Sequence, residues 1–176
     1  MLKKTITVDA NWALRRMPPS THPGGQCELP QSSITLTPVP DQEVVLSRLL
    51  DVVSKTSLRR SGFGASAVWE KGWTQVLERV QERGFSFDTL APQYFQGQFT
   101  FRVDREFYYS DIPNSAYFLD LIVRDQFLRS CLSNHGRIVE LGAGTGLNLL
   151  LLEQIWPGRE ILLTDWVKPS IDLAIL

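Results

Sequence analysis

Cysteine and histidine are nearly absent from this chain, with two of each in 176 residues. Cys27 and Cys131 lie far apart and outside any metal-ligand spacing, so they read as free thiols in a reducing compartment. His22 and His135 add no ligand cluster, and no zinc site is expected. No apolar run approaches the roughly 18 residues that a membrane span needs. The pair Lys3-Lys4 is followed by no apolar stretch of the kind a signal peptide carries, so a cytoplasmic location is expected. Net charge is scarce too, at −1. The basic residues fall in scattered pairs such as Arg15-Arg16 and Arg59-Arg60, with no basic stripe among aromatics, which excludes a nucleic-acid partner. What remains is ordinary globular composition, 43% hydrophobic and 21% charged, in a chain long enough for one core.

Against that background one stretch stands out: Ile138-Val139-Glu140-Leu141-Gly142-Ala143-Gly144-Thr145-Gly146, with Asp165 nineteen residues after Gly146. Ile138 to Leu141 is short, apolar and preceded by a polar break, as a buried parallel strand is. Three glycines at alternate positions let the backbone turn sharply and leave no Cβ in the way of a ligand. Leu147 to Ile155 is leucine-rich and reads as a helix, stopped by Pro157-Gly158. Its N-terminus aims free amides and a positive dipole end over the glycines. Ile161-Leu162-Leu163 forms a second strand, and Asp165 emerges at its carboxyl end. In open α/β sheets that edge carries the ligand crevice, and a carboxylate there suits the hydroxyls of a ribose.

The spacing selects among nucleoside cofactors. Dinucleotide sites use G-x-G-x-x-G and seat a pyrophosphate on the helix end. Here the pattern is G-x-G-x-G, led by Glu140 two positions before Gly142. That carboxylate repels a pyrophosphate and suits a ligand bearing an ammonium and a sulfonium. The stretch resembles the first motif, E/D-x-G-x-G-x-G, of Rossmann-like S-adenosylmethionine-dependent methyltransferases. The resemblance implies that the loop of Glu140, Gly142, Ala143, Gly144, Thr145 and Gly146 lies against the methionine end of the cofactor. It implies that Asp165 binds the ribose and that Trp166 walls the adenine. The resemblance spans Arg137 to about Leu176. Upstream, Phe107-Tyr108-Tyr109-Ser110-Asp111-Ile112-Pro113 is similar to the corresponding region of some bacterial sugar O-methyltransferases. A plain tight turn with an exposed acid, and a nicotinamide-dependent oxidoreductase, are the competing readings.

The rest of the chain divides into three. Residues 1–40 hold Pro18, Pro19, Pro23, Pro30, Pro38 and Pro40, and read as an extended or mobile arm with a short strand near Ile34 to Thr37. Residues 41–113 read as a helical cap with an aromatic hairpin. One helix begins at Asp41 and buries a broad face including Val44, Leu46, Leu49 and Leu50. The next runs from Ser66 to Arg83 with Trp69 and Trp73 in its apolar stripe, read as core. Ser61-Gly62-Phe63-Gly64 reads as a connector between them. Phe99, Phe101 and Val103 alternate as a half-buried strand that Asp104-Arg105-Glu106 turns back into Phe107 to Tyr109. Tyr108 or Tyr109 is the candidate for a cofactor or substrate contact. Residues 114–176 then begin the α/β unit. A helix from about Ala116 to Leu132 buries Phe127 and Cys131, with Arg124, Asp125 and Arg129 facing water.

The expected fold class is therefore α/β: an N-terminal helical region, then the first β-α-β unit of a Rossmann-like sheet. A complete sheet of the resembled family has more strands, so the chain reads as a truncated piece, inactive alone, with its catalytic residues beyond Leu176. The expected cofactor is S-adenosyl-L-methionine. The expected partner is a small-molecule methyl acceptor, a sugar or another hydroxyl or amine. A non-catalytic cofactor-binding or interaction module is the alternative from a different class.

Overall fold

The computed structural model describes residues 4–17, 28–54, 66–95, 99–132 and 136–176. Cys27, His22, His135 and the Ser61 to Gly64 connector lie outside these residues. The elements are β1 (Ile6–Asp9), α1 (Ala10–Leu14), β2 (Ser33–Pro38), α2 (Gln42–Ser54), α3 (Ser66–Arg83) and α4 (Phe87–Leu90). A 3₁₀ turn at Gln93–Phe95 leads to β3 (Thr100–Val103), β4 (Glu106–Tyr109), α5 (Ser115–Cys131), β5 (Ile138–Leu141), α6 (Leu147–Ile155), β6 (Ile161–Thr164) and α7 (Lys168–Ile175). The chain is thus mixed α/β. It has a four-stranded antiparallel sheet in the order β1-β2-β4-β3 and a separate parallel pair, β5-β6. No helix among the described residues is long and apolar enough to cross a membrane.

The N-terminal arm is the first correction. Alternation in Ile6-Thr7-Val8 and Ile34-Thr35-Leu36 puts apolar side chains on one face, and Val8, Ile34 and Leu36 are fully buried. Of the prolines that suggested an arm, Pro18, Pro19, Pro23 and Pro30 fall between these strands in sequence, and Pro38 ends β2. β2 then pairs with β4, so the expected aromatic hairpin is the other half of this sheet. At the hairpin tip Asp104 and Arg105 both take left-handed φ, 48° and 75°, as a two-residue turn between twisted strands requires. Arg16 reaches that tip, pairing with Asp104 at 2.9 Å.

The two helices expected to form one cap go to different places. α2 lies against β4, with Val45 buried, but its Val44, Leu46, Leu49 and Leu50 are exposed rather than packed. α3 packs on α7, joining Val76, Val80, Leu90 and Leu173 in one cluster.

α5 joins the two halves of the molecule. Tyr117 and Leu121 enter the cluster around α6, while Ile122 enters the core of the four-stranded sheet. Covered on two sides, α5 buries several of its polar residues. Asp125 and Arg129, expected in water, are 2% and 7% exposed and pair at 3.0 Å. Phe127 and Cys131, expected in the core, are exposed instead.

β5, α6 and β6 form as the sequence suggests. The strands run parallel with Ile138 opposite Ile161 and Leu141 opposite Thr164. α6 buries Leu147, Leu151, Leu152 and Ile155 against Tyr117 and Phe87. On the far face of the pair Val139, Leu141 and Leu162 are exposed, so β5 is half-buried rather than the buried strand expected from its apolar run.

Candidate functional site

The glycine turn sits where β5 ends and α6 begins. Gly142, Gly144 and Gly146 all have left-handed φ, at 79°, 58° and 75°. An L-residue pays for that conformation, so glycine is dictated at each position by backbone geometry. The amides of Gly142 and Ala143 both donate to the Thr164 carbonyl, at 2.8 and 3.0 Å, tying the turn to the tip of β6. Ala143, Thr145 and Gly146 are buried within the turn.

Asp165 follows directly and faces back into the turn. Its Oδ2 accepts from the Gly144 amide at 2.9 Å and from Ser170 Oγ at 2.7 Å. Its Oδ1 accepts from the Val167 amide at 2.9 Å. Burial disfavours the Asp165 charge, but hydrogen bonds from Val167, Gly144, Ser170 and Trp166 outweigh it and hold the pKa below the ordinary value. A carboxylate has about four acceptor positions, and the Gly144 amide, the Val167 amide and Ser170 Oγ take three of them. Asp165 is therefore a clasp on the turn, with acceptor capacity left for a further donor. Ser170 is the donor that can yield, because its single hydroxyl proton also faces the Gly144 carbonyl at 2.5 Å. Trp166 stands beside the clasp with its side chain largely exposed.

Glu140, at the tip of β5, is the other carboxylate. Its Oε1 accepts from Asn148 Nδ2 at 2.6 Å. Its Oε2 is buried with no hydrogen-bond partner. Burial raises its pKa above the ordinary value, and Asp165 adds to the rise, while Asn148 and Arg124 oppose it. Asn148 in turn accepts from Arg124 Nη1 at 2.9 Å, and Asp120 holds the same guanidinium through Nε and Nη2. The result is a chain of contacts from Asp120 through Arg124 and Asn148 to Glu140.

Two hollows flank the turn and share Ala143. One, of about 270 Å³, lies over the glycines and is bounded by Trp69, Trp73, Tyr94, Phe95, Arg124 and Glu140. The other, of about 350 Å³, lies between β6 and α7, with Ile161, Leu163 and Ile171 as apolar wall and Asp165 at its rim. α3 closes over the first hollow. A Cβ on Gly144 would stand 3.6 Å from Trp73, and one on Gly146 would stand 3.6 Å from Phe85.

The structure brings Glu140, the three glycines and Asp165 together, as their spacing suggests. It does not bring the tyrosines. Tyr108 is buried in the core of the four-stranded sheet, and Tyr109 projects from β4 beside α2. Both follow from the register of β4 against β2, and neither borders the glycine turn. Sequence reasoning assigned Trp69 and Trp73 to the core, and it missed Tyr94, Asn148 and Ser170. The i, i+4 spacing of the tryptophans fits a packed face and a ligand wall equally. Asn148 and Ser170 carried one available signal, being polar at the opening turns of helices that flank a glycine motif. Among the described residues no cluster of His, Cys, Asp and Glu is placed to hold a metal ion. No protein-family model, curated protein or solved structure matches this chain.

Proposed function

We propose that the glycine turn is the donor site of an S-adenosylmethionine-dependent methyltransferase with a Rossmann-like sheet, acting on the hydroxyl or amine of a small molecule. The observation that carries this reading is the pairing of three left-handed glycines with two carboxylates of different state. Glu140 offers an enclosed oxygen without a partner, and Asp165 is held ionised by donors at the tip of β6.

The residues present fit this cofactor. The turn and Glu140 would hold its methionine end, where a carboxylate with one oxygen unpartnered suits ammonium and sulfonium charge. The hollow between β6 and α7 would hold its nucleoside end, with Asp165 at its rim accepting from the ribose. The bound group supplies a methyl already activated by a sulfonium. The protein's part in such a transfer is alignment and exclusion of water, and the aromatic walls of the first hollow serve both. A dinucleotide fits less well, because Glu140 stands where a pyrophosphate would bring its negative charge. On that reading Glu140→Ala would improve NADH binding.

Titration calorimetry of S-adenosylhomocysteine into the chain, with NADH as control, tests the proposal. Selective binding supports it. Preference for NADH, or no binding by a folded chain, contradicts it. The three internal hydrogen bonds of Asp165 favour a second reading, a non-catalytic module in which the turn is only architecture. On that reading no nucleoside ligand binds and Asp165 matters for stability alone.

A further inference from the structure

A second cluster of charged side chains stands where α3, α4 and the start of α5 meet. Arg79, Arg83, Asp88 and Asn114 border a hollow of about 260 Å³ there. Its other side is aromatic. Phe95, Tyr117 and Phe118 line it in sequence of contact, with ring centroids 5.6 Å apart in the first pair and 6.0 Å in the second.

Arg79 and Arg83 are one helical turn apart on α3, so both stems leave the same face. Arg79 is held in place. Its Nε donates to the Thr89 carbonyl at 3.3 Å and its Nη2 to the Ala91 carbonyl at 2.7 Å. Neutral carbonyls orient the guanidinium without cancelling its charge. Among the described residues, Arg79, Arg83 and Asp88 make no ion pair, with one another or with any other side chain. Three charges thus border one hollow unneutralised. Two are positive and one is negative, which leaves a balance of one positive charge. A guanidinium fixed in orientation matches the planar, two-oxygen edge of a carboxylate. The Asn114 side chain makes no capping hydrogen bond to α5, which leaves its amide to donate as well. Ring faces opposite these donors suit a flat apolar body. Asp88 opposes a second negative charge on whatever binds.

We infer that this hollow binds a small organic carboxylate with a flat, largely apolar body. Arg79 and Arg83 take the carboxylate, Phe95 and Phe118 face the body, and Asp88 limits the ligand to one negative charge. The hollow shares only Pro92 and Phe95 with the one over the glycine turn. The inference goes beyond the function proposed above and does not rest on it.

The test is amide chemical-shift titration of the full chain, labelled with nitrogen-15, with three probes of one shape: benzoate, neutral benzamide and cationic benzamidine. Benzoate should bind roughly tenfold tighter than benzamide, with benzamidine weakest. Its shifts should centre on Arg83, Asp88, Asn114 and Phe118. Arg83→Gln should bring benzoate close to the affinity of benzamide and leave benzamide unchanged. Asp88→Asn should tighten benzoate severalfold. Both residues are exposed, so neither substitution removes core packing. Phenyl phosphate, which carries up to two charges, should bind no better than benzoate. Equal binding of benzoate and benzamide, a preference for benzamidine, or discrimination that survives Arg83→Gln overturns the inference. Tighter binding of phenyl phosphate than of benzoate overturns the assignment of a singly charged carboxylate.

Discussion

The Gly144 amide donates to Asp165 Oδ2 across 2.9 Å, although the two residues are 21 positions apart in sequence. This bond closes the glycine turn onto the tip of β6 and fixes the spacing between the two halves of the proposed site. Asp165→Asn places an amide group against a carboxylate's donors, so it should cost about 1–3 kcal/mol of stability at neutral pH. Urea unfolding measures that loss. The native pKa of Asp165 is depressed, so its stabilisation is present above the ordinary value of 3.8 and is lost as pH falls through the lower native value. The difference between the wild-type chain and Asp165→Asn should narrow over that acid window.

Glu140 behaves in the opposite sense. Its native pKa is raised above the ordinary 4.5, so any stability linked to it is present below that value and lost as pH rises through the native one. Ionised Glu140 therefore burdens the fold at neutral pH. Glu140→Gln should raise the melting temperature at pH 7, and the gain should disappear in acid. The same substitution should weaken binding of S-adenosylmethionine. A gain in stability with a loss of affinity is the signature of a residue kept for its ligand.

Glycine substitutions separate backbone demand from helix propensity. Gly142 has φ 79° and open space around its absent Cβ, so Gly142→Ala should cost roughly 1–2 kcal/mol through conformation alone. Gly72, inside α3, has open space and no left-handed φ, and Gly72→Ala should stabilise by about 0.5–1 kcal/mol. Paired chemical denaturation curves check both signs.

Ser170→Ala removes the hydroxyl shared between Gly144 and Asp165. Stability should fall by about 1 kcal/mol. Affinity for S-adenosylhomocysteine should be retained, because an acceptor position on Asp165 is released. Thermal melts and calorimetry on the same preparation read the two effects separately.

Tyr117 is fully buried and its hydroxyl donates to the Phe87 carbonyl at 2.5 Å, joining α5 to α4 beneath the site. Burial pushes the Tyr117 pKa up, so the phenol stays protonated and keeps donating in alkaline solution. Tyr117→Phe leaves a buried carbonyl without this donor and should cost about 1–2 kcal/mol, measured by urea unfolding.

The parallel β5-α6-β6 unit was legible in the sequence because its signals are local. Glycines at 142, 144 and 146 demand one backbone, and Pro157-Gly158 ends one helix. The helices α2, α3 and α5 were legible as helices but not in their facing. Asp125 and Arg129 were placed in water because a single helix pattern does not reveal that α5 is covered on two sides. The N-terminal sheet was hidden for a related reason. Val8, Ile34 and Leu36 become core only when β2 pairs with β4, a contact spanning about 70 positions that local alternation does not announce. At the site, the motif residues were readable from spacing, whereas the Trp73 roof and the Ser170 clasp arise from packing of α3 and α7 onto the turn.

One measurement tests the donor-site account most directly: amide chemical-shift mapping of the chain, labelled with nitrogen-15, during titration with S-adenosylmethionine. The account predicts saturable shifts at Gly142, Gly144, Gly146 and Trp166, and at the Trp73 indole, while the β1-β2-β4-β3 sheet stays unmoved. Shifts confined to that sheet, or none at saturating ligand in a chain with a dispersed spectrum, would contradict it.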